Sequence, residues 1–174
     1  KKIIKNDENV NHYQKKIENI CFNLLIQQQP VAKDLRTITA ALKMVTDMER
    51  IGDHASDISE LVIDMKDCPI LFNVDRFKEM YSNVVSMLIQ SINAYVNKDI
   101  QMAKECIKED DEIDLLFDKN KEDLIQLIHE NPEKGRAAVD LLMVNKYLER
   151  IGDHVTNIAE WVIYSLDNNP VNEQ

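Results

Sequence analysis

The sequence predicts an all-α protein that carries an internal duplication. Three observations predict it. Turn formers are scarce, with three glycines and four prolines in 174 residues. Leu, Ile, Met, Ala, Lys and Glu are abundant, and most of these enter a helix at little cost. The stretch ERIGDH occurs twice, at Glu49 to His54 and at Glu149 to His154.

Pro30, Pro69, Pro132 and Pro170 sit where helical periodicity breaks. QQP (Gln28 to Pro30) and NPE (Asn131 to Glu133) each place a proline at an expected first turn, where its missing N–H is harmless, with Asn131 as an N-cap. Asp75 and Asp99 are two more expected N-caps. Five helices follow, at about 1–28, 31–66, 75–97, 99–130 and 132–167. They group into a first repeat over 1–68 and a second over 73–168.

The second and fifth helices are each about 50 Å long at 1.5 Å per residue. The second carries an apolar seam at Ala41, Met44, Met48, Ile51, Ala55, Ile58, Val62 and Met65. The fifth repeats it at Leu141, Val144, Leu148, Ile151, Val155, Ile158 and Val162. This alternating three–four spacing is that of a coiled-coil-like face. Arg36 and Arg136, Glu60 and Glu160, and Ile63 and Ile163 also correspond, so a whole helix is duplicated. Upstream, IKNDENVN (Ile4 to Asn11) resembles IKEDDEID (Ile107 to Asp114). The second repeat has a further helix in front, 75–97, and the first does not. Two helices leave an apolar face open where three enclose a core, so self-association through the first repeat is expected.

Folding each half back at its proline sets a register. Turning near 131–132 puts Asp114 opposite Glu149 and Asp110 opposite Asp153. Turning near Pro30 puts Asp7 opposite Asp53 and Asn11 opposite Glu49. Within each helix the paired residues are four apart and share a face. Each repeat thus gains a square of acids across a helix–helix groove, with one corner amidated in the first. Asp57 extends the first face by a turn, as Asn157 does the second, and Glu60 and Glu160 reach toward the same edge. Repulsion among such carboxylates is relieved by water, by protonation or by a bound cation. An all-oxygen set suits Mg, Ca, Mn or iron and does not suit copper(I). The acids lie about 100–140° around the helix from the seam, so a site at the solvent-facing rim is expected. A merely solvated acidic face remains the competing reading.

Gly52 and Gly152 sit mid-helix inside the acidic motif, where glycine costs about 1 kcal/mol relative to alanine. Close helix approach and access to a ligand both account for them. His54 and His154 point about 140° away from the motif Glu, which favours a polar contact or partial burial over ligation. Arg50 and Arg150 are expected to pair with nearby carboxylates. Trp161 and the Met-rich seam read as core.

Net charge is −10 and the pI about 4.9, which disfavours nucleic acid and anionic lipid as direct partners. No apolar run approaches the roughly 20 residues that span a bilayer, so no membrane insertion is expected and at most a peripheral association. No secretory leader pattern opens the chain. Cys21, Cys68 and Cys106 are isolated, an odd number that fits buried thiols in a reducing cytoplasm.

The stretch QQQPVAKDLRTITAALKMVTDMERIGDHASDISE (Gln27 to Glu60) closely resembles the signature of the PhoU family of phosphate-uptake regulators. The likeness is sharp in the ERIGDH helices and in QPVAKDLR, and weaker in the acidic helices. It implies two PhoU-like, spectrin-repeat-like three-helix bundles in tandem, related by a pseudo-twofold repeat, the first lacking its N-terminal helix in this chain. It implies a multinuclear metal cluster on E(D)-x-x-x-D pairs, iron first, with Zn, Mn and Mg also compatible. Carried over, those ligands are Asp110, Asp114, Glu149 and Asp153 in the second repeat. In the first they are Asp7, Glu49 and Asp53, with Asn11 in place of an acid and Asp57 as a compensating one. The implied role is negative regulation of phosphate uptake and of the phosphate-starvation response. The implied partners are a phosphate ABC transporter and a sensor histidine kinase, and a homodimer is expected. Two other classes stay open: a ferritin-like di-metal carboxylate enzyme and a metal-free helical adaptor. The first normally uses Glu-x-x-His projecting into a bundle core. Here the spacing is Glu-x-x-x-Asp-His, and the acids flank the seam.

Overall fold

A computed structural model describes residues 2–28, 30–67 and 74–167. Among them are five α-helices and no strand: α1 (Lys2–Gln28), α2 (Ala32–Asp64), α3 (Asp75–Asn97), α4 (Ile100–Glu130) and α5 (Gly135–Leu166). A 3-10 turn, Met65–Asp67, closes α2, and another, Pro132–Lys134, opens α5. No helix is long and apolar enough to cross a membrane among the described residues.

Local chemistry sets the ends, with three corrections to the sequence reading. Asp99 does cap α4, its carboxylate accepting from the Met102 N–H at 3.0 Å. Asp75 does not cap α3: it is the first helical residue, after Val74, and binds Lys78 at 2.9 Å. Asn131 stands at the N-cap position, but its side chain makes no capping bond and the chain first takes a 3-10 turn. Pro30 lies two residues before α2 and outside its first turn, with Val31 at the cap position. Before α4, Lys98 adopts a left-handed conformation at φ 56°, which lets the Asp99 N–H reach the Ala94 carbonyl at 2.9 Å.

Helices α3, α4 and α5 pack as a three-helix bundle, α1 packs on α2, and α2 and α5 join the two repeats. Arg36 of α2 donates to the Asp167 carbonyl at 2.6 Å and lies over the Tyr164 ring, while Asp47 meets His154, so α2 and α5 run antiparallel. The α5 seam is buried throughout, from Leu141 through Val155 to Val162. The α2 seam is not. Met44 and Met65 are buried, Met48, Ile51 and Ile58 are half-buried, and Val62 is exposed, against the expectation for it. The cause is the partner set: among the described residues α5 is wrapped by α2, α3 and α4, whereas α2 packs chiefly on α1 and α5. An apolar groove of about 290 Å³ accordingly opens in the first repeat, floored by Val10, Ile17, Val45 and Met48 and edged by Leu88 and Ile92 of α3. Ile3, Tyr13, Ile20 and Ile26 of α1 are exposed, and Tyr13 lines the groove. Trp161 is partly buried against the core. Cys21 and Cys106 are buried free thiols, and Cys68 lies outside the described residues.

Candidate functional site

The expected register holds in both repeats, and the ERIGDH glycines report it. Opposite Gly152, where a Cβ would stand, the nearest atoms are Asp110 Oδ1 at 3.0 Å and Ile113 Cγ2 at 3.3 Å. Opposite Gly52 they are Asp7 Oδ1 at 3.3 Å and Val10 Cγ1 at 3.3 Å. Asp7 aligns with Asp110, and Val10 with Ile113, so the duplicated residues make duplicated contacts. In each case a carboxylate rests directly on the facing helix. Each glycine therefore makes room for an acid, as well as for the helix that carries it.

The second row is electrostatically tense. Burial, followed by repulsion from Asp114 and Asp153, pushes the Asp110 carboxyl up to about 6. Burial and then Glu149 raise both Asp114 and Asp153. These three facing effects tie Asp110, Asp114, Glu149 and Asp153 into one cluster. The Thr156 hydroxyl lies near enough to offset part of the rise at Asp110, yet makes no hydrogen bond of good geometry. The cluster sits at the rim as expected, with Asp114 and Asp153 exposed and Asp110 and Glu149 half-buried.

In the first row the Asn11 amide donates to Asp7 Oδ2 at 3.2 Å, so the amidated corner binds the neighbouring acid instead of repelling it. Arg50 reaches Asp53 at 3.2 Å and Glu49 at 3.6 Å. Among the described residues the buried oxygens Asp7 Oδ1, Asn11 Oδ1 and, one turn beyond Gly52, Ser56 Oγ have no hydrogen-bond partner. Buried polar atoms are rarely left so, and a water or an ion would satisfy them. Asp57, expected to extend this row, makes its polar contact with His54 at 3.5 Å.

His54 and His154 meet across the α2–α5 joint with ring centroids 5.6 Å apart, and Tyr147 stacks on His54 at 5.2 Å. His154 Nδ1 lies 2.8 Å from Asp47 Oδ1, which also accepts from Asn157 at 3.3 Å. Burial, ahead of its neighbours, holds His54 below the usual imidazole range. His154 thus makes the polar contact expected of it, whereas His54 is half-buried, with Nδ1 3.5 Å from Asp57 and no hydrogen bond among the described residues.

Arg150 differs from Arg50: it makes no ion pair among the described residues. Lys146 takes that role, with Nζ 2.6 and 2.5 Å from the two carboxylate oxygens of Glu149. Sequence reasoning missed Lys146, although its place one helical turn before Glu149 was a usable signal. It also missed a buried amide pair in the second bundle. There Asn120 donates to Asn145 Oδ1 at 2.9 Å, and Asn145 donates to the Phe117 carbonyl at 2.9 Å.

An oxygen donor set with orphaned buried oxygens and self-repelling acids has the chemistry to take a hard or borderline cation. Among the described residues no three His, Cys, Asp or Glu side chains already stand together as a ready metal-ligating group. A cation would therefore have to draw the facing acids inward by side-chain rotation.

Fold and rows together define a tandem-repeat helical protein with a row of acids on the paired helices of each repeat. The family model described as PhoU domain matches residues 1–62 and 77–162, and the chain belongs to that family. It is 39% identical over 170 residues to the "Phosphate-specific transport system accessory protein PhoU homolog" of Clostridium acetobutylicum, covering 97% of this chain and 78% of that one. It is 35% identical to the homologue of the same name from Borreliella burgdorferi, over 94% of this chain and 76% of that one. The crystal structure of PhoU from Pseudomonas aeruginosa superposes with a TM-score of 0.92 at 29% identity, covering 95% of this chain and 79% of that one. The phosphate transport system regulatory protein PhoU from Streptococcus pneumoniae gives 0.88 at 26% identity, over 98% and 80%.

Proposed function

We propose that this protein is a negative regulator of phosphate uptake and of the phosphate-starvation response. In this reading it acts in the cytoplasm between a phosphate ABC transporter and a sensor histidine kinase, and works by contact and not by catalysis. The observation that carries the reading is family membership over nearly the whole chain, with relatives named as accessory proteins of phosphate transport. Deleting the gene in its native host is expected to raise phosphate uptake and alkaline phosphatase activity in phosphate-rich medium. Unchanged repression in a strain without a second copy would overturn the reading.

The acidic rows are proposed as the metal sites. Asp110, Asp114, Glu149 and Asp153 would hold the second, and Asp7, Glu49 and Asp53, with Asp57 beside them, the first. Iron is the first candidate, with Mn, Zn and Mg as alternatives. A bound cation would relieve the repulsion within each row and pin α4 to α5 and α1 to α2. The orphaned oxygens of the first row and the raised acids of the second support this. A native-state ligand at about 100 times its Kd stabilises by about 2.7 kcal/mol. Mn2+ is therefore expected to raise Tm by several degrees, and the Asp110→Asn, Glu149→Gln, Asp153→Asn triple variant is expected to lose much of that gain. Equal gains in both proteins would remove the second row from the account, and no gain in either would favour a metal-free adaptor.

A homodimer is proposed through the apolar groove of the first repeat, because Tyr13 and Ile17 of α1 both line that groove and are exposed. Light scattering across a hundredfold concentration range checks it: a mass that stays monomeric throughout would rule it out.

A further inference from the structure

Lys146 and Phe117 form a seat that the first repeat does not have. The Lys146 ammonium bridges both Glu149 oxygens, at 2.6 and 2.5 Å, and its Nζ lies 5.4 Å from the centroid of the Phe117 ring. Its field also reaches Asp114 and Asp153, where it opposes the repulsion of the other acids. One tethered cation therefore serves three of the four carboxylates in the row. An aromatic face beneath the ammonium adds a cation–π contribution and fixes where the charge sits. Neither member has a counterpart across the duplication. Lys146 aligns with Thr46, whose hydroxyl is turned back to the Leu42 carbonyl at 3.0 Å. Phe117 aligns with Gln14, which is bonded to Glu18 at 3.2 Å. The first row is served by Arg50 instead, a half-exposed guanidinium without an aromatic seat among the described residues; it lies 3.2 Å from Asp53 and 3.6 Å from Glu49, both longer contacts than those made by Lys146.

We propose that Lys146 is a built-in counter-cation of the second acidic row, which a metal ion must displace from Glu149 before the row can load. The proposal rests on the metal-site reading above and adds its regulation. Glu149 cannot offer both oxygens to an ammonium and to a metal at once. Loading is thus an exchange of one cation for another, with Lys146 swinging from Glu149 into solvent. Its Nζ is positioned for that move, because its side chain is 40% exposed while Glu149 is only 15% exposed. The two sites of the chain are consequently unequal. The second is held in a charge-compensated resting state when metal is scarce and fills only when a metal outcompetes the ammonium on Glu149.

The test is a Mn2+ titration by calorimetry at near-neutral pH, in a background carrying Asp7→Asn, Glu49→Gln and Asp53→Asn so that the second row is read alone. Lys146→Met keeps the aliphatic stem over Phe117 and removes only the charge. It is expected to bind Mn2+ at least about tenfold tighter than the same background with Lys146, since a competing unit charge at contact distance is gone. In chelator, Lys146→Met is expected to melt lower, because the row then lacks any cation, and Mn2+ should restore more of its Tm than it adds to the parent. Equal or weaker Mn2+ affinity in Lys146→Met, with the parent binding, would overturn the counter-cation proposal and leave the metal site standing. No Mn2+ binding by either protein would overturn both.

Discussion

Asn145→Val is expected to cost about 3 kcal/mol, and a second substitution, Asn120→Ile, is expected to return most of it. Both amides are wholly buried and lie near the middle of the α4–α5 contact. Asn145 accepts from Asn120 at 2.9 Å and donates to the Phe117 carbonyl at 2.9 Å. Asn120 has little else, since its other nitrogen contact is Met80 Sδ at 3.9 Å and its Oδ1 is already without a partner. Removing Asn145 alone leaves a complete amide in an apolar bundle, at about 1–3 kcal/mol for each buried group left unpaired. Removing both takes away the obligation along with the bond.

The duplication supplies the replacement residues. Asn120 aligns with Ile17 and Asn145 with Val45, and those two side chains lie together in the groove of the first repeat. The same pair position is therefore apolar in one repeat and amide-bonded in the other. Paired replacement of a buried polar contact by apolar groups of similar size is often neutral or stabilising. Urea melts of the four proteins measure this. A double variant as unstable as Asn145→Val would mean that the amides act independently, and that the cost lies in packing alone.

The sequence was a good guide wherever a repeat and a proline acted together. The turn at 131–132 sets the α4–α5 register to within a residue, and the Asp110 and Ile113 contacts at Gly152 follow from it. The α5 seam was legible because three neighbours cover it. The α2 seam obeys the same periodicity, but Val62 is exposed, since periodicity names a face and does not say whether anything covers it. Helix starts were the weaker part. At Asp75 and Asn131 the residue types suit a cap, but the observed starts fall at neighbouring positions or after a 3-10 turn. Lys146 was not legible because a duplication marks what two repeats share, and Lys146 is a feature in which they differ. Its partner Phe117 is on another helix and was invisible for the same reason.

Gly152→Val is expected to be the most damaging single change in the ERIGDH motifs, at about 2–4 kcal/mol, with Gly52→Val costing clearly less. At Gly152 the new side chain meets Ile113, which is wholly buried and has nowhere to move, as well as Asp110. At Gly52 the neighbours are Asp7 and Val10 in a two-helix contact beside an open groove, where α1 has room to yield. Alanine divides the two explanations for the glycine. Gly152→Ala gains about 1 kcal/mol of helix propensity and loses a similar amount to a tight contact, so its stability in chelator is expected to stay near that of the parent. The atom best able to give way is Asp110 Oδ1, the tip of a flexible side chain 3.0 Å from the new methyl. The alanine variant should therefore stay folded while its acidic row is displaced, and the Tm gain from Mn2+ should shrink by half or more. A full Mn2+ response in Gly152→Ala would show that the glycine serves helix packing only. A lost response in a protein of unchanged stability would tie the glycine to where Asp110 places its charge.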